Sequence, residues 1–309
     1  MRDECGALAE CPECAHGEQG LVLPTTPSAR CVHVKREYPC ARCLWHENES
    51  CSNGTLPCVS PRTTRVSVVV ITHDEAPNID AALASVAWAA EIVVIDAGSG
   101  DDTVERAKRY TDRVFHHDWL GYGPQKDHAT SVATYDWVFS LDADERVSHE
   151  LASEIKTLLA TEPLCRGYRM PRATRYQGHW IRTTDWYPDY QLRLYDRRVA
   201  TWGRQLVHES GRVQGAVGRL QHEIHHYPYQ DFSAHLATID RYTSLAARQL
   251  RDNGRRARLL DLAVHPISAF LRNYVLRRGC LQGSIGFIVS VMNAYYVFLK
   301  YAKLREVSE

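Results

Sequence analysis

Val66-Ser-Val-Val-Val-Ile-Thr72 is a β-branched run with one small polar residue, and Glu91-Ile-Val-Val-Ile-Asp96 repeats the pattern. Strands that are apolar along their whole length must be covered on both faces, which a helix-flanked parallel sheet achieves. Between the two runs, Ile79, Leu83 and Val86 share one face of a helix that Asn78 is placed to cap. Ala97-Gly-Ser-Gly-Asp-Asp102 then makes a turn, and Thr103 to Tyr110 reads as a second helix. A short strand over Arg113–His116, a helix over Pro124–Thr134 and a strand over Trp137–Leu141 continue the alternation. Strand and helix alternating through short connections predict an α/β fold: an open, mostly parallel sheet with helices on both faces. Ligands of such sheets bind beyond the carboxyl ends of the strands. Glu75, Asp96, Asp142 and Asp144 all fall at such ends.

The densest of these ends is Phe139-Ser-Leu-Asp-Ala-Asp-Glu145, where an apolar strand stops in two carboxylates at i and i+2. Asp-x-Asp alone is common by chance. At a strand end it offers hard oxygen ligands, which suit Mg²⁺ or Mn²⁺ better than zinc. Asp96 admits a second reading as an ordinary turn carboxylate, since Asp-Ala-Gly-Ser is good turn chemistry.

Val-Val-Ile-Thr-His-Asp-Glu-Ala (69–76), Ile-Val-Val-Ile-Asp-Ala-Gly-Ser-Gly-Asp (92–101) and Ser-Leu-Asp-Ala-Asp-Glu (140–145) together resemble family 2 inverting glycosyltransferases. Gly121-Tyr-Gly-Pro-Gln-Lys126, Trp186-Tyr-Pro-Asp-Tyr190 and Leu206-Val-His-Glu209 extend the resemblance to the lipopolysaccharide core β-1,4-glucosyltransferase branch. It covers roughly Arg65 to Leu304. Gly100 departs from it, standing where the family usually has Thr. The resemblance implies a GT-A fold and an inverting transfer of a hexose, with glucose expected, from a UDP-sugar to a lipopolysaccharide-core or other lipid-linked saccharide. It implies that Glu75, Asp96, Lys126 and Asp142 hold the nucleotide sugar. Asp142 and Asp144, with His208 as a third ligand or phosphate contact, would hold the divalent metal. Inversion needs one general base, for which Glu209 and Asp189 are the candidates. Asp189 has a salt bridge to Arg193 as its bland alternative, Glu209 simple exposure, and Lys126 a solvated helix start. Arg193 and Arg204 are further diphosphate or acceptor candidates. His222, His225 and His226 read as core or surface histidines rather than a zinc site. Other readings are a polyprenyl-linked or protein acceptor, or a non-catalytic sugar-nucleotide binder.

Of the 309 residues, 44% are hydrophobic and 24% charged, a globular composition, and the formal net charge of zero argues against a general nucleic-acid partner. Eight of the ten cysteines precede residue 60. Residues 1–64 lack a sustained apolar period and read as a disordered segment or a start-site artefact. Cys11-x-x-Cys14 and Cys40-x-x-Cys43 also fit a zinc knuckle or a disulfide-bonded tail. Only Cys165 and Cys280 lie beyond, as in a reducing compartment, and residues 1–20 show no apolar signal core. A cytoplasmic protein is expected. Residues 65–230 read as the glycosyltransferase domain and 231–309 as a helical extension, in which Phe232, Leu236, Ile239 and Tyr242 recur at helical spacing and Leu259–Leu276 forms a further apolar helix. Leu281 to Lys300 is long and apolar but interrupted by Gln282, Ser284, Ser290 and Asn293. It reads as an interfacial helix with Arg277, Arg278, Lys300 and Lys303 at anionic lipid, or as a packed helix, ahead of a true span. Peripheral contact with the inner face of the cytoplasmic membrane follows from the first reading.

Overall fold

The computed structural model describes residues 64–203 and 211–307. The expectations for the amino-terminal cysteines, and for Arg204, His208 and Glu209, therefore lie outside the described residues. The elements in chain order begin with β1 (Val66–Thr72), α1 (Ile79–Ser85), β2 (Glu91–Asp96), α2 (Thr103–Ala107) and β3 (Val114–His116). There follow α3 (Tyr122–Val132), β4 (Trp137–Asp142), β5 (Glu145–Val147), α4 (His149–Leu159), β6 (Gly167–Tyr176) and β7 (His179–Ile181). A 3-10 turn (Thr184–Trp186) leads into β8 (Asp189–Asp196), β9 (Ala200–Trp202), β10 (Gly211–Val213), β11 (Val217–Arg219) and β12 (Ile224–His226). Three long helices close the chain: α5 (Phe232–Asp252), α6 (Leu259–Leu271) and α7 (Gly283–Glu306).

The main sheet runs β3-β2-β1-β4-β8-β6-β12-β5. Its first four strands are parallel; β8 then runs antiparallel to both β4 and β6. The expected parallel sheet is thus half of a mixed one. Alternation along β1 explains the layering: Val66, Val68 and Val70 join Phe139 and Leu141 in a core under α1 and α4, while Val69 and Ile71 join Val93, Ile95 and Ala129 under α3. Helix α4 is anchored by Ser148, whose hydroxyl accepts from the Leu151 amide at 3.1 Å, and it buries Leu151, Ile155 and Leu159.

Two helix expectations change in detail. Asn78 gives α1 no side-chain cap, because its amide donates instead to Glu75 Oε2 at 2.8 Å. In α5 the buried stripe is His235, Ile239, Thr243 and Ala247, leaving Phe232 and Leu236 exposed. The helix turns this way because His235 stacks on Tyr229, with ring centroids 4.2 Å apart, and its Nδ1 pairs with the Tyr176 hydroxyl at 2.8 Å. Tyr176, Ile181, Ile285 and Val289 form the core that joins α7 to β6 and β7.

Between β6 and β8 the pairing steps from Tyr168↔Leu194 to Arg169↔Leu192. Arg193 is therefore the extra residue of a β-bulge, a device that re-aims a side chain.

Candidate active site

Register brings the strand ends together. Thr72 lies opposite Asp96, and Ile71 opposite Asp142, so the segments after β1, β2 and β4 leave the sheet along one edge. After β1 the chain turns sharply at Asp74, whose φ is +53°. Its carboxylate accepts from the Gly100 amide at 2.7 Å, which ties the two strand-end loops together. A Cβ at Gly100 would come no closer than 3.9 Å to that carboxylate, so the turn does not require a glycine for space.

Asp142 lies between two buried cations. Lys126 Nζ is 3.0 Å from Oδ1, and Arg193 donates to Oδ2 at 2.5 Å. Burial opposes ionisation of Asp142, yet Arg193 and Lys126 outweigh it and hold the carboxyl far below the ordinary carboxylate range. Lys126 is 2% exposed and sits over the Trp202 ring, so it is neither a solvated helix residue nor a freely extended phosphate ligand. Arg193 continues the chain of charge to Glu145 at 2.6 Å, and Arg172 reaches the same oxygen at 3.1 Å. Arg172 then grips Asp189 Oδ2 through Nε (2.9 Å) and Nη2 (2.6 Å), while Gln191 donates to the other oxygen at 2.7 Å. The result is a ladder of alternating sign: Lys126, Asp142, Arg193, Glu145, Arg172, Asp189. The anticipated Asp189–Arg193 bridge is replaced by Asp189–Arg172, because the bulge turns Arg193 towards Asp142 and Glu145.

Asp144 stands beside this ladder with the His226 imidazole 3.2 Å away. Burial pushes its carboxyl up, but His226 outweighs that and leaves it below the ordinary range. Glu75 moves the other way: burial raises its carboxyl, Asn78 counters through its hydrogen bond, and Asp144 and Asp101 add repulsion. Asp96 is buried and occupied by its own turn, accepting from the amides of Gly98 (2.9 Å) and Ser99 (3.0 Å) and from the Ser99 hydroxyl. Gln125 is likewise structural, pairing with both the ring and the carbonyl of His117.

Among the described residues no three His, Cys, Asp or Glu side chains converge into a complete metal site. Asp144 with His226 nevertheless fits part of one: a hard oxygen and an imidazole nitrogen. Asp142, committed to Lys126 and Arg193, fits that role poorly. Three participants were not legible in the sequence: Glu145, Arg172 and His226. Glu145 follows Asp-x-Asp directly, and its full burial is the signal that only the fold supplies. His226 arrives from β12, whose register sets it opposite both Thr174 and Glu145. The aromatics around Asp189 are also spoken for: Trp186 packs on Tyr176 and donates to Asn293 at 3.0 Å, and the Tyr187 hydroxyl donates to Glu223 at 2.7 Å.

Residues 67–213 match the family model described as Glycosyl transferase family 2. An uncharacterised glycosyltransferase of Rickettsia typhi is 31% identical over 256 residues, spanning 79% of this chain and 88% of the relative. The lipopolysaccharide core biosynthesis glycosyltransferase LpsC of Rhizobium meliloti is 30% identical over 247 residues, 77% of this chain and 91% of LpsC. Among solved structures, S. aureus TarS 1–349 in complex with UDP-GlcNAc aligns over 79% of this chain and 91% of that one, at 12% identity and a TM-score of 0.41. That score is too low to carry a fold assignment, which rests on the strand order above.

Proposed function

Since the chain belongs to glycosyl transferase family 2, we propose that it moves a hexose, glucose in the first instance, from a UDP-sugar to a lipid-linked saccharide of the lipopolysaccharide-core type, with inversion. The acceptor class is supported by the likeness to LpsC. Meeting such an acceptor places the enzyme at the inner face of the cytoplasmic membrane. The observation that carries the site assignment is Asp144, a carboxylate kept ionised beside His226 at the carboxyl edge of the parallel strands. Asp144 and His226 would hold a Mg²⁺ or Mn²⁺ ion, with His208 the remaining protein candidate; such an ion neutralises charge on the departing nucleoside diphosphate.

The chain's own groups divide the remaining work. Lys126 and Arg193 fix Asp142 and set a positive background behind the diphosphate. Glu75, with its carboxyl raised by burial, hydrogen-bonds the nucleoside and Asp96 shapes the adjoining turn. Glu209 takes the acceptor proton. Asp189 is the weaker base, because Arg172 occupies one of its oxygens through two N–H groups and Gln191 the other, leaving neither free to meet an acceptor hydroxyl.

The test is UDP release from UDP-glucose with extracted glycolipid as acceptor and added Mn²⁺. Asp144→Asn and Glu209→Gln should each lower turnover by at least about a hundredfold, the scale of removing a charge-stabilising or proton-transfer group. Near-normal turnover of Asp144→Asn at saturating Mn²⁺ would refute the metal role. An active Glu209→Gln beside a dead Asp189→Asn would exchange the base.

A further inference from the structure

Helix α6 is mounted inside out. Leu260, Val264, Ile267 and Leu271 recur at helical spacing, and Val275 extends the stripe into the π-helical turn Arg272–Leu276. In a globular helix such a stripe faces the core. Here all five residues are exposed, Leu260 by 72%, and Ala269 is the residue that α6 buries. Leu276 and Leu281 in the following connection are 77% and 76% exposed. A contiguous apolar face of this kind marks an interaction surface. Exposed arginines lie at both ends of the stripe: Arg255 and Arg256 before α6, Arg277 and Arg278 after the π turn.

Resting on the lipid-linked acceptor already proposed, we infer that α6 and its following turn form the membrane-docking face. The stripe inserts among acyl chains at an anionic lipid surface, and the two arginine pairs meet the headgroups. Charge selects this occupant. A second copy laid on the same stripe, parallel or antiparallel, would bring basic ends against basic ends, whereas anionic lipid complements them along the whole length. Helix α7, which the sequence offers as the interfacial element, has a packed face and an open one, the latter carrying the exposed Phe287, Val291, Tyr295 and Phe298. It is long and apolar enough to cross a membrane, yet it packs along α5 and α6 and buries Ile285, Val289 and Met292. Lys303 near its end bonds the Asp240 carbonyl at 2.6 Å. The inward part of α7 therefore supports α6 from behind.

The docking face is also tied to the strand that begins at Asp189. Buried Asn273 in the π turn accepts from the Asp185 amide (2.7 Å) and from the Asn293 side-chain amide (2.9 Å), and donates to the Asp185 carboxylate (3.0 Å). The Thr184 amide donates to the Arg277 carbonyl at 3.0 Å. Lipid contact is thus built onto the segment that leads into β8.

Co-sedimentation of the full chain with vesicles tests this. The parent should bind vesicles of phosphatidylglycerol and phosphatidylcholine in equal parts, lose that binding in high salt, and ignore pure phosphatidylcholine. Leu260→Ser/Ile267→Ser should weaken partitioning at least about tenfold, as expected from forfeiting two inserted side chains. Arg255→Gln/Arg256→Gln should weaken it by about tenfold or more, from the contribution of each basic residue near the surface. Unchanged binding of both variants, or equal binding to neutral vesicles, would overturn the assignment. So would a parent dimer that dissociates in Leu260→Ser/Ile267→Ser. UDP release with a soluble acceptor should stay at the parental rate in both variants, so failure of the lipid surface and failure of the transferase reading give different results.

Discussion

Removing Arg193 should expose how much of the fold rests on the charge ladder. Arg193 is 2% exposed and serves two carboxylates, Asp142 and the fully buried Glu145. Arg193→Met keeps much of the side-chain volume but leaves Asp142 with Lys126 and Glu145 with Arg172. Breaking a buried pair in this way costs about 3–5 kcal/mol, because the stranded carboxylate keeps its desolvation penalty. At about 2–4 °C per kcal/mol for a domain of this size, Tm should fall by about 6–20 °C. Arg193→Met/Asp142→Asn should recover part of that loss, since it removes one stranded charge. The pH profile gives an independent check. In the parent, the folded Asp142 carboxyl lies far below its unfolded value of 3.8, so its stabilisation is complete above that value and is lost as pH falls below it. Without Arg193 the folded value rises, and Tm should fall less steeply in acid. Calorimetry from pH 3 to 7 measures both effects. An Arg193→Met protein melting within about 2 °C of the parent at neutral pH would refute the ladder as a stabilising device.

Three further outcomes are expected. Gly123→Ala should destabilise by about 1–3 kcal/mol in urea unfolding, because its Cβ would lie 1.9 Å from the Gly203 carbonyl oxygen and one backbone would have to move. Burial lowers His235 from 6.5 to about 4, so the unfolded chain binds the extra proton first and stability should drop as pH falls from 6.5 towards 4. In His235→Gln that part of the pH dependence should vanish from thermal melts. Removing residues 1–64 should leave UDP release intact, since the family match begins at residue 67; loss of activity would give the cysteine-rich segment a direct part in transfer.

The parallel half of the sheet was legible in the sequence because its strands carry their burial in their composition. Val66–Thr72 and Glu91–Asp96 are apolar on both faces, and short helices separate them. The strand-end carboxylates followed from that pattern alone. What lay beyond reach was long-range pairing. Nothing local in β6 says that Arg172 will face Glu145 and Asp189, and nothing local in β12 brings His226 to Asp144. The α5 stripe was misjudged for a related reason: His235 is polar by type, and only the Tyr176 and Tyr229 rings make it an interior residue. Periodicity likewise found the apolar face of α6 but could not tell which way it points.

The bulge at Arg193 bears on how this chain tolerates insertions and deletions. Losing Arg193 would restore even pairing with β6 and keep the other side chains of β8 on their present faces, because the bulge already carries two residues past one partner. Leu192, which packs under α3, and Leu194, which packs in the opposite core, would then be adjacent and would still face opposite ways; what would go is the guanidinium that serves Asp142 and Glu145. A deletion elsewhere along β8 has no spare residue to absorb it and would turn one side of the strand over. Length variation is tolerable in turns such as Gln177-Gly178, where no atom lies within 4 Å of a Cβ placed at the glycine, but not along β8 away from its bulge.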